Sequence, residues 1–272
     1  MADAALIDRY GFAREVARKA GARAMDWRRR ASGFAPEQKE PGDWVTAADR
    51  DVEQFIRQRI AERFPGDAVL GEEEGGTIGA RTWVLDPIDG TTNYVHGIPF
   101  WCVSIGVLVD GAYAIGVIED PTHGVQFHGQ AGSGAFRSEA GRRDTRLSVS
   151  TQSTLQGCRL AFAHQTKRDI EVSMEAFARA AREGATFRAL GSGALHLACV
   201  AGGVLDGYFE SAIHLWDIAA AALLIEEAGG WIKAPFDPDR PVAAFPVVAG
   251  TAGLQGPLEA ATARLFQPDP PQ

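Results

Sequence analysis

Cysteine is scarce in this chain of 272 residues. Cys102, Cys158 and Cys199 stand far apart, odd in number and without a CxxC spacing. That argues against a disulfide framework and a thiolate zinc site, and leaves reduced, unreactive thiols as the expectation. HExxH is missing too. His96, His123, His128, His164, His196 and His214 share no ligand spacing and read as structural or surface groups. No apolar run approaches the ~18 residues of a membrane span, and the N-terminal stretch is charged and amphipathic where a signal peptide would be apolar. A cytoplasmic protein with no membrane partner is expected. No Lys/Arg block is long enough for a nucleic-acid footprint, and 27 basic against 35 acidic residues leave a net charge of −8. Nucleic acid binds through basic surfaces, so none is expected here. An anionic ligand has to be drawn in locally, by metal ions or backbone amides.

What is present is an ordinary globular balance, 46% hydrophobic and 23% charged, with length enough for one large domain or two closely joined ones. Residues 4–30 read as an amphipathic helix with Leu6, Tyr10, Ala13, Ala17, Ala20, Ala24 and Trp27 on one face. A polar loop from Lys39 to Asp43 follows. Thr46, with Asp49 three residues on, reads as a variant capping box opening a second helix that Pro65-Gly66 ends. The texture then changes to short strands. Residues 101–109 and 112–119 flank an Asp110-Gly111 turn, a strong hairpin signal, and 125–128 and 134–137 extend the sheet. Residues 138–157 connect two halves, 1–145 and 146–272, of a single domain. Beyond them the pattern predicts helices near 169–183, 192–201 and 216–229, strands near 186–190, 206–210, 231 and 246–250, and a disordered tail, QPDPPQ. The fold class is α+β or layered α/β.

The chemistry centres on VLDPIDGTTNY, residues 84–94. Asp86 and Asp89 follow an apolar segment, Thr82–Leu85, that reads as a buried strand. Pro87 cannot donate to a ladder, so the strand is expected to end there. Acids at i and i+3 around the ensuing turn can converge on one point. LGEEEGG upstream ends another apolar segment in Glu72, Glu73 and Glu74, and Asp217 opens an alanine-rich helix downstream. Singly, each has an ordinary reading: turn residues, a solvated loop, a helix N-cap. Jointly they do not. Two carboxylates ~4 Å apart repel by roughly 4 kcal/mol at an effective dielectric near 20, so a converging set calls for a cation. Hard oxygen ligands suit Mg²⁺. Gly90-Thr91-Thr92 then lets backbone amides approach an anion, a phosphate seat beside the metal. The D-x-D-x-T pattern of covalent-aspartate phosphatases places its acids at i, i+2 and does not fit.

DPIDGTTNYVHGIPFWCVSIGV, WDIAAAALLIEEAGG, the GEE at 71–73 and GDWVTAADRDVE together resemble the inositol monophosphatase family, collinearly over roughly residues 10–250. The resemblance implies a layered αβαβα sandwich and a Mg²⁺-dependent phosphomonoesterase, usually homodimeric, with two to three ions per site. It places Glu72, Asp86 and the Ile88 carbonyl at a first metal, and Asp86, Asp89 and Asp217 at a second. It makes Gly90 and Thr91 phosphate-binding, and Asp49, Thr91 and Glu72 the group that positions the attacking water. Lys39 and Asp43 fall on a mobile loop, and Gly191, Ser192, Gly193 and Glu210 on the substrate side. The implied mechanism is in-line attack by a metal-activated water with no covalent intermediate. myo-Inositol 1-phosphate is the leading substrate and L-histidinol phosphate the rival, since Glu210 suits an ammonium as well as hydroxyls. Fructose 1,6-bisphosphate, 3′-phosphoadenosine nucleotides and a regulatory partner-binding role rank below. Gly193 stands where alanine is common and Tyr94 where phenylalanine is, departures that bear on substrate preference.

Overall fold

The computed structural model describes residues 4–30, 37–40, 43–45, 47–163 and 170–267. Helix α1 (Ala4–Arg30) opens the chain. Its Ala13, Ala17, Ala20 and Ala24 have no exposed surface and make a narrow seam that a sheet can approach closely. Arg28, Arg29 and Arg30 in its last turn complement the helix dipole. A short antiparallel pair, β1 (Glu37–Glu40) and β2 (Asp43–Val45), leads to α2 (Ala47–Arg63), which buries Val52, Ile56 and Ile60 and stops just before Pro65. Thr46, its expected start, His164 and the tail from residue 268 lie outside the described residues.

A larger sheet follows: β3 (Ala68–Gly71), β4 (Gly75–Gly76), β5 (Arg81–Asp89), then helix α3 (Thr91–His96), β6 (Cys102–Val109), β7 (Ala112–Asp120), β8 (Val125–Gln130), β9 (Gly134–Glu139) and β10 (Thr145–Arg146). Its order is β10-β9-β8-β7-β6-β5-β3-β4, antiparallel except where β3 runs parallel to β5. Asp110 and Gly111 both take positive φ, 49° and 80°, the tight turn that matches strand twist. The second half supplies β11 (Arg159–Ala163), α4 (Ile170–Arg182), β12 (Thr186–Arg188), α5 (Gly193–Ala201), β13 (Gly207–Ile213), α6 (Leu215–Glu227), β14 (Gly230–Lys233), β15 (Phe245–Thr251) and α7 (Gln255–Ala261). The smaller sheet runs β12-β11-β13-β15-β14.

The layers follow from which side chains each strand turns to which face. Trp83, Leu85, Val103, Ile105, Val107, Ile115 and Val117 pack under α1 and α2. Val84, Cys102 and Ile118 face the other way, onto α5 and α6, whose far side meets the smaller sheet. Phe209 and Val248 line the outer face of that sheet against α4 and α7. The result is the layered αβαβα arrangement of an α+β fold.

One expectation is corrected. β5 does not end at Pro87 but runs on to Asp89. The ladder with β6 passes from Asp86↔Ser104 to Asp89↔Cys102, so that Pro87 and Ile88 on one strand oppose Val103 alone on the other. Pro87 falls in this bulge, so its missing donor is not required by the ladder.

Helix α6 reaches the larger sheet because two glycines make room. A Cβ on Gly116 would lie 2.2 Å from the Ala220 carbonyl oxygen, and one on Gly106 2.7 Å from the Ala219 Cβ. Gly116→Ala is therefore expected to lower the unfolding free energy by about 1–3 kcal/mol or more, seen as a lower urea midpoint at an unchanged slope. An unchanged midpoint would mean that α6 does not pack this closely.

Candidate metal and active site

The C-terminal end of β5 is where the acids meet. The bulge at Pro87 sets Asp86 and Asp89 on one side, and the Asp86 Oδ1 accepts the Ile88 N–H at 2.9 Å. Asp217 comes from the first turn of α6. It is not the N-cap that its sequence context suggested: His214 is, and Asp217 is the third helical residue, accepting the His214 N–H at 2.9 Å in a capping box. Carboxylate oxygens of Asp86, Asp89 and Asp217 lie within 4.8 Å of one another. Glu72 sits on the turn between β3 and β4, its N–H donating to the Leu85 carbonyl at 3.2 Å, and its charge bears on Asp86.

Asp89 is held from the opposite half. Ala194 N donates to it at 2.8 Å, Gly193 N at 3.2 Å, and the Ser192 hydroxyl donates to it as well. Ser192 is also the N-cap of α5, accepting from Leu195 N at 3.3 Å. Gly191, Ser192 and Gly193, expected on the substrate side, thus spend the Ser192 hydroxyl and the Gly193 N–H on Asp89. The Cys102 thiol, 3.6 Å from Asp89, is pushed well up by burial and by the acids around it, so it stays protonated and donates.

Gly90 turns the chain out of β5 with φ of 94°, and a Cβ there would meet Gly191 O at 3.0 Å and Phe100 O at 3.2 Å, so only glycine fits. Helix α3 begins at the next residue. The Thr91 hydroxyl lies 3.1 Å from Ile88 O and 3.3 Å from Asp49 Oδ1, and Asp49, on α2, has no exposed surface. Glu210, on β13, is buried with the Tyr208 hydroxyl donating to it. The backbones of Lys39 and Asp43 fall on β1 and β2; their side chains lie outside the described residues.

Several contributors carried no distinct sequence signal. Asn93, inside the quoted motif but given no role, donates to Phe100 O at 2.7 Å and to Leu190 O at 2.6 Å, clamping the two loops that flank Gly90. Tyr208 and Cys102 come from strands whose pattern reports only burial. His196 packs beside Tyr208 and accepts the Leu190 N–H at 3.2 Å, which holds the approach to Ser192.

The electrostatics identify what the site lacks in side chains. Burial, then Glu72, Asp89, Asp217 and Asp49, push the Asp86 carboxyl well up. Asp217 is pushed up to about 7, by burial first and by Asp89 second. Asp89 rises less, because burial is offset by Ser192, Ala194 and Gly193. Among the described residues no Lys, Arg or His pairs with any of these three. An all-oxygen donor set of this charge fits a hard divalent cation. The sign of the pH dependence follows. The folded metal-free protein keeps protons that the unfolded chain releases above about pH 4, so these groups lose stability as pH rises toward 7. A cation takes the place of those protons. The Mg²⁺-induced rise in Tm is therefore expected to be larger at pH 8 than at pH 5; equal rises in a scan against EDTA controls would contradict the assignment.

The model of the inositol monophosphatase family matches residues 8–267. The chain is 36% identical over 240 residues to the inositol-1-monophosphatase SuhB of Mycobacterium tuberculosis, covering 85% of this chain and 82% of that one. It is 39% identical over 188 residues to the histidinol-phosphatase of the same organism, covering 68% and 72%. The crystal structure of the extragenic suppressor protein suhB from Bartonella henselae superposes with a TM-score of 0.82 at 31% identity, over 94% of this chain and 97% of that one. With a match over nearly its whole length and a fold shared in every layer, the chain belongs to the inositol monophosphatase family of metal-dependent phosphatases and is a phosphoric monoester hydrolase.

Proposed function

We propose that this chain is a Mg²⁺-dependent phosphatase of small polyol phosphates, with myo-inositol 1-phosphate as its leading substrate. The observation that carries the reading is the convergence of Asp86, Asp89 and Asp217 within 4.8 Å beside the start of α3. In this reading Glu72, Asp86, the Ile88 carbonyl, Asp89 and Asp217 hold two to three ions, and Gly90 and Thr91 present amide N–H groups to the phosphate. Mg²⁺, when bound, neutralises phosphate charge and makes water a better nucleophile.

The chain's own residues supply orientation. Asp49 accepts the Thr91 hydroxyl proton, which turns the oxygen lone pairs of Thr91 toward the site, and with Glu72 this pair orients the attacking water and takes its proton. The water attacks phosphorus in line, the P–O bond to the leaving group breaks, and the leaving oxygen takes a proton from solvent. On the far side Glu210 accepts substrate hydroxyls and Tyr208 fixes its orientation; Gly191, Ser192 and Gly193 border the same space. The β1–β2 pair, carrying Lys39 and Asp43, packs near α3 and is assigned the closing segment. The reading extends to a cytoplasmic homodimer; a monomer in light scattering at micromolar concentration would remove that part of it.

Glu210 favours a second reading. Burial, then Asp217 and Asp89, push it up to about 8 against the pull of Tyr208. A substrate ammonium would supply the missing countercharge, as L-histidinol phosphate can.

The test is phosphate release from inositol 1-phosphate, histidinol phosphate and fructose 1,6-bisphosphate, with Mg²⁺ and with EDTA. Mg²⁺-dependent turnover highest on the inositol ester is expected, with Asp217→Asn reducing it by roughly 100-fold or more. Preference for histidinol phosphate would install the second reading. Turnover unaffected by EDTA or by Asp217→Asn would overturn both.

A further inference from the structure

Glu72 sits on a turn, and a turn on its own is a poor support for a ligand that must hold position within a fraction of an ångström. Here the turn is fastened from below. Glu53, on α2, has no exposed surface. Its Oε2 accepts the Glu73 N–H at 2.8 Å and its Oε1 the Glu74 N–H at 3.0 Å. Arg57, one helical turn on, donates from Nε to Glu53 Oε1 at 2.8 Å and from its other arm to the Gly75 carbonyl, and lies 3.6 Å from Glu74 Oε2. The preceding residue is shaped to the same end. A Cβ on Gly71 would stand 2.5–2.7 Å from the three carboxyl atoms of Glu53, so glycine there is what admits the carboxylate.

A salt bridge between Glu53 and Arg57 for helix stability alone would belong on the surface, where the carboxylate keeps most of its hydration. Burying a carboxylate costs several kcal/mol unless its lone pairs are met. Here they are met by the two amides that follow Glu72, while the Glu72 amide itself is tied to Leu85 on β5, next to Asp86. Glu72 is thus pinned on both sides: to the strand that carries Asp86, and to a buried charge that cannot shift without breaking three hydrogen bonds.

We propose that Glu53 is a positioning residue that holds the 72–74 turn in the conformation presenting the Glu72 carboxylate to the cation site, with Arg57 as its support. This rests on the reading of Glu72 as a metal ligand, and the experiment separates the two. Mg²⁺ binding to the full chain is measured by calorimetry for wild type, Glu53→Gln, Glu72→Gln and the double variant, with far-UV circular dichroism as the check on folding. Glu53→Gln puts an amide N–H₂ where a peptide N–H donates, so binding is expected to weaken by about 10–100-fold, as for other partners that orient a ligand. Glu72→Gln is expected to weaken it at least as much, and the double variant no more than Glu72→Gln alone, because Glu53 acts only through Glu72.

Wild-type affinity in Glu53→Gln, or single effects that multiply in the double variant, would overturn the proposal. Wild-type affinity in Glu72→Gln would instead remove Glu72 from the ligands, and the proposal with it. Should Glu53→Gln not fold, Glu53→Asp, which keeps the charge for Arg57 but draws it back from the turn, is read by the same criteria. Failure of both to fold would make Glu53 a requirement of the fold and overturn the proposal.

Discussion

The mutual repulsion of buried carboxylates is the constraint around which this molecule is arranged. Asp86, Asp89 and Asp217 are brought within 4.8 Å in a setting that disfavours their charged forms, and no basic side chain among the described residues pairs with them. Such a cluster is unstable as anions, and its donor set fits a cation that would take the place of the protons. Each member is consequently held by something other than its neighbours: Asp86 by the Ile88 amide in the bulge, Asp217 by the capping box at His214, Asp89 by the start of α5. The fold supplies position, and a cation would supply the missing attraction.

These supports also join the two halves. Asp89 belongs to the larger sheet, yet its partners Ser192, Gly193 and Ala194 open a helix of the second half. Asn93 spans the same divide to Leu190, and Ser104 donates to the Trp216 carbonyl at 3.3 Å, one residue before Asp217. The site is therefore completed only when α5 and α6 are seated on the sheet, and that seating depends on Gly106 and Gly116. Packing at these glycines decides how the acids are spaced, because a helix held off by a methyl group carries its acid away with it.

The differing protonation tendencies within one small volume suggest a division of labour. Asp89, which accepts several donors, rises least among the three; Asp86, faced by acids from four other positions, rises most. Glu210 is buried with the Tyr208 hydroxyl donating to it, and burial together with Asp217 and Asp89 pushes its carboxyl up to about 8. A buried carboxyl of this kind suits either hydroxyls or an ammonium as a partner, so the geometry bears on phosphatase chemistry more directly than on the identity of a leaving group.

Much of this was legible in the linear chain, for local reasons. Helix periodicity, the Asp110-Gly111 turn and the acid-Pro-x-acid-Gly-Thr-Thr order are short-range properties, and each yields its element because backbone sterics act over a few residues. Where local pattern and structure differ, the cause is tertiary. Pro87 ends a strand on its own evidence, but a bulge against β6 carries the strand past it. Asp217 looks like an N-cap, but the helix begins earlier, at Leu215, and is capped by His214, whose ring stacks on that of Trp216 with centroids 4.6 Å apart. Glu53, one acid among four in the second helix by sequence alone, gains its place only because β3 brings Gly71 and the acid turn against it. Residue types and their spacing thus determined which chemistry the chain offers: clustered acids with hard oxygen donors, and a glycine-threonine turn beside them. Only the tertiary structure decided which acids converge and which amides are spent holding them, because contacts between residues far apart in the chain are set by packing of whole layers, and no local rule of the sequence contains them.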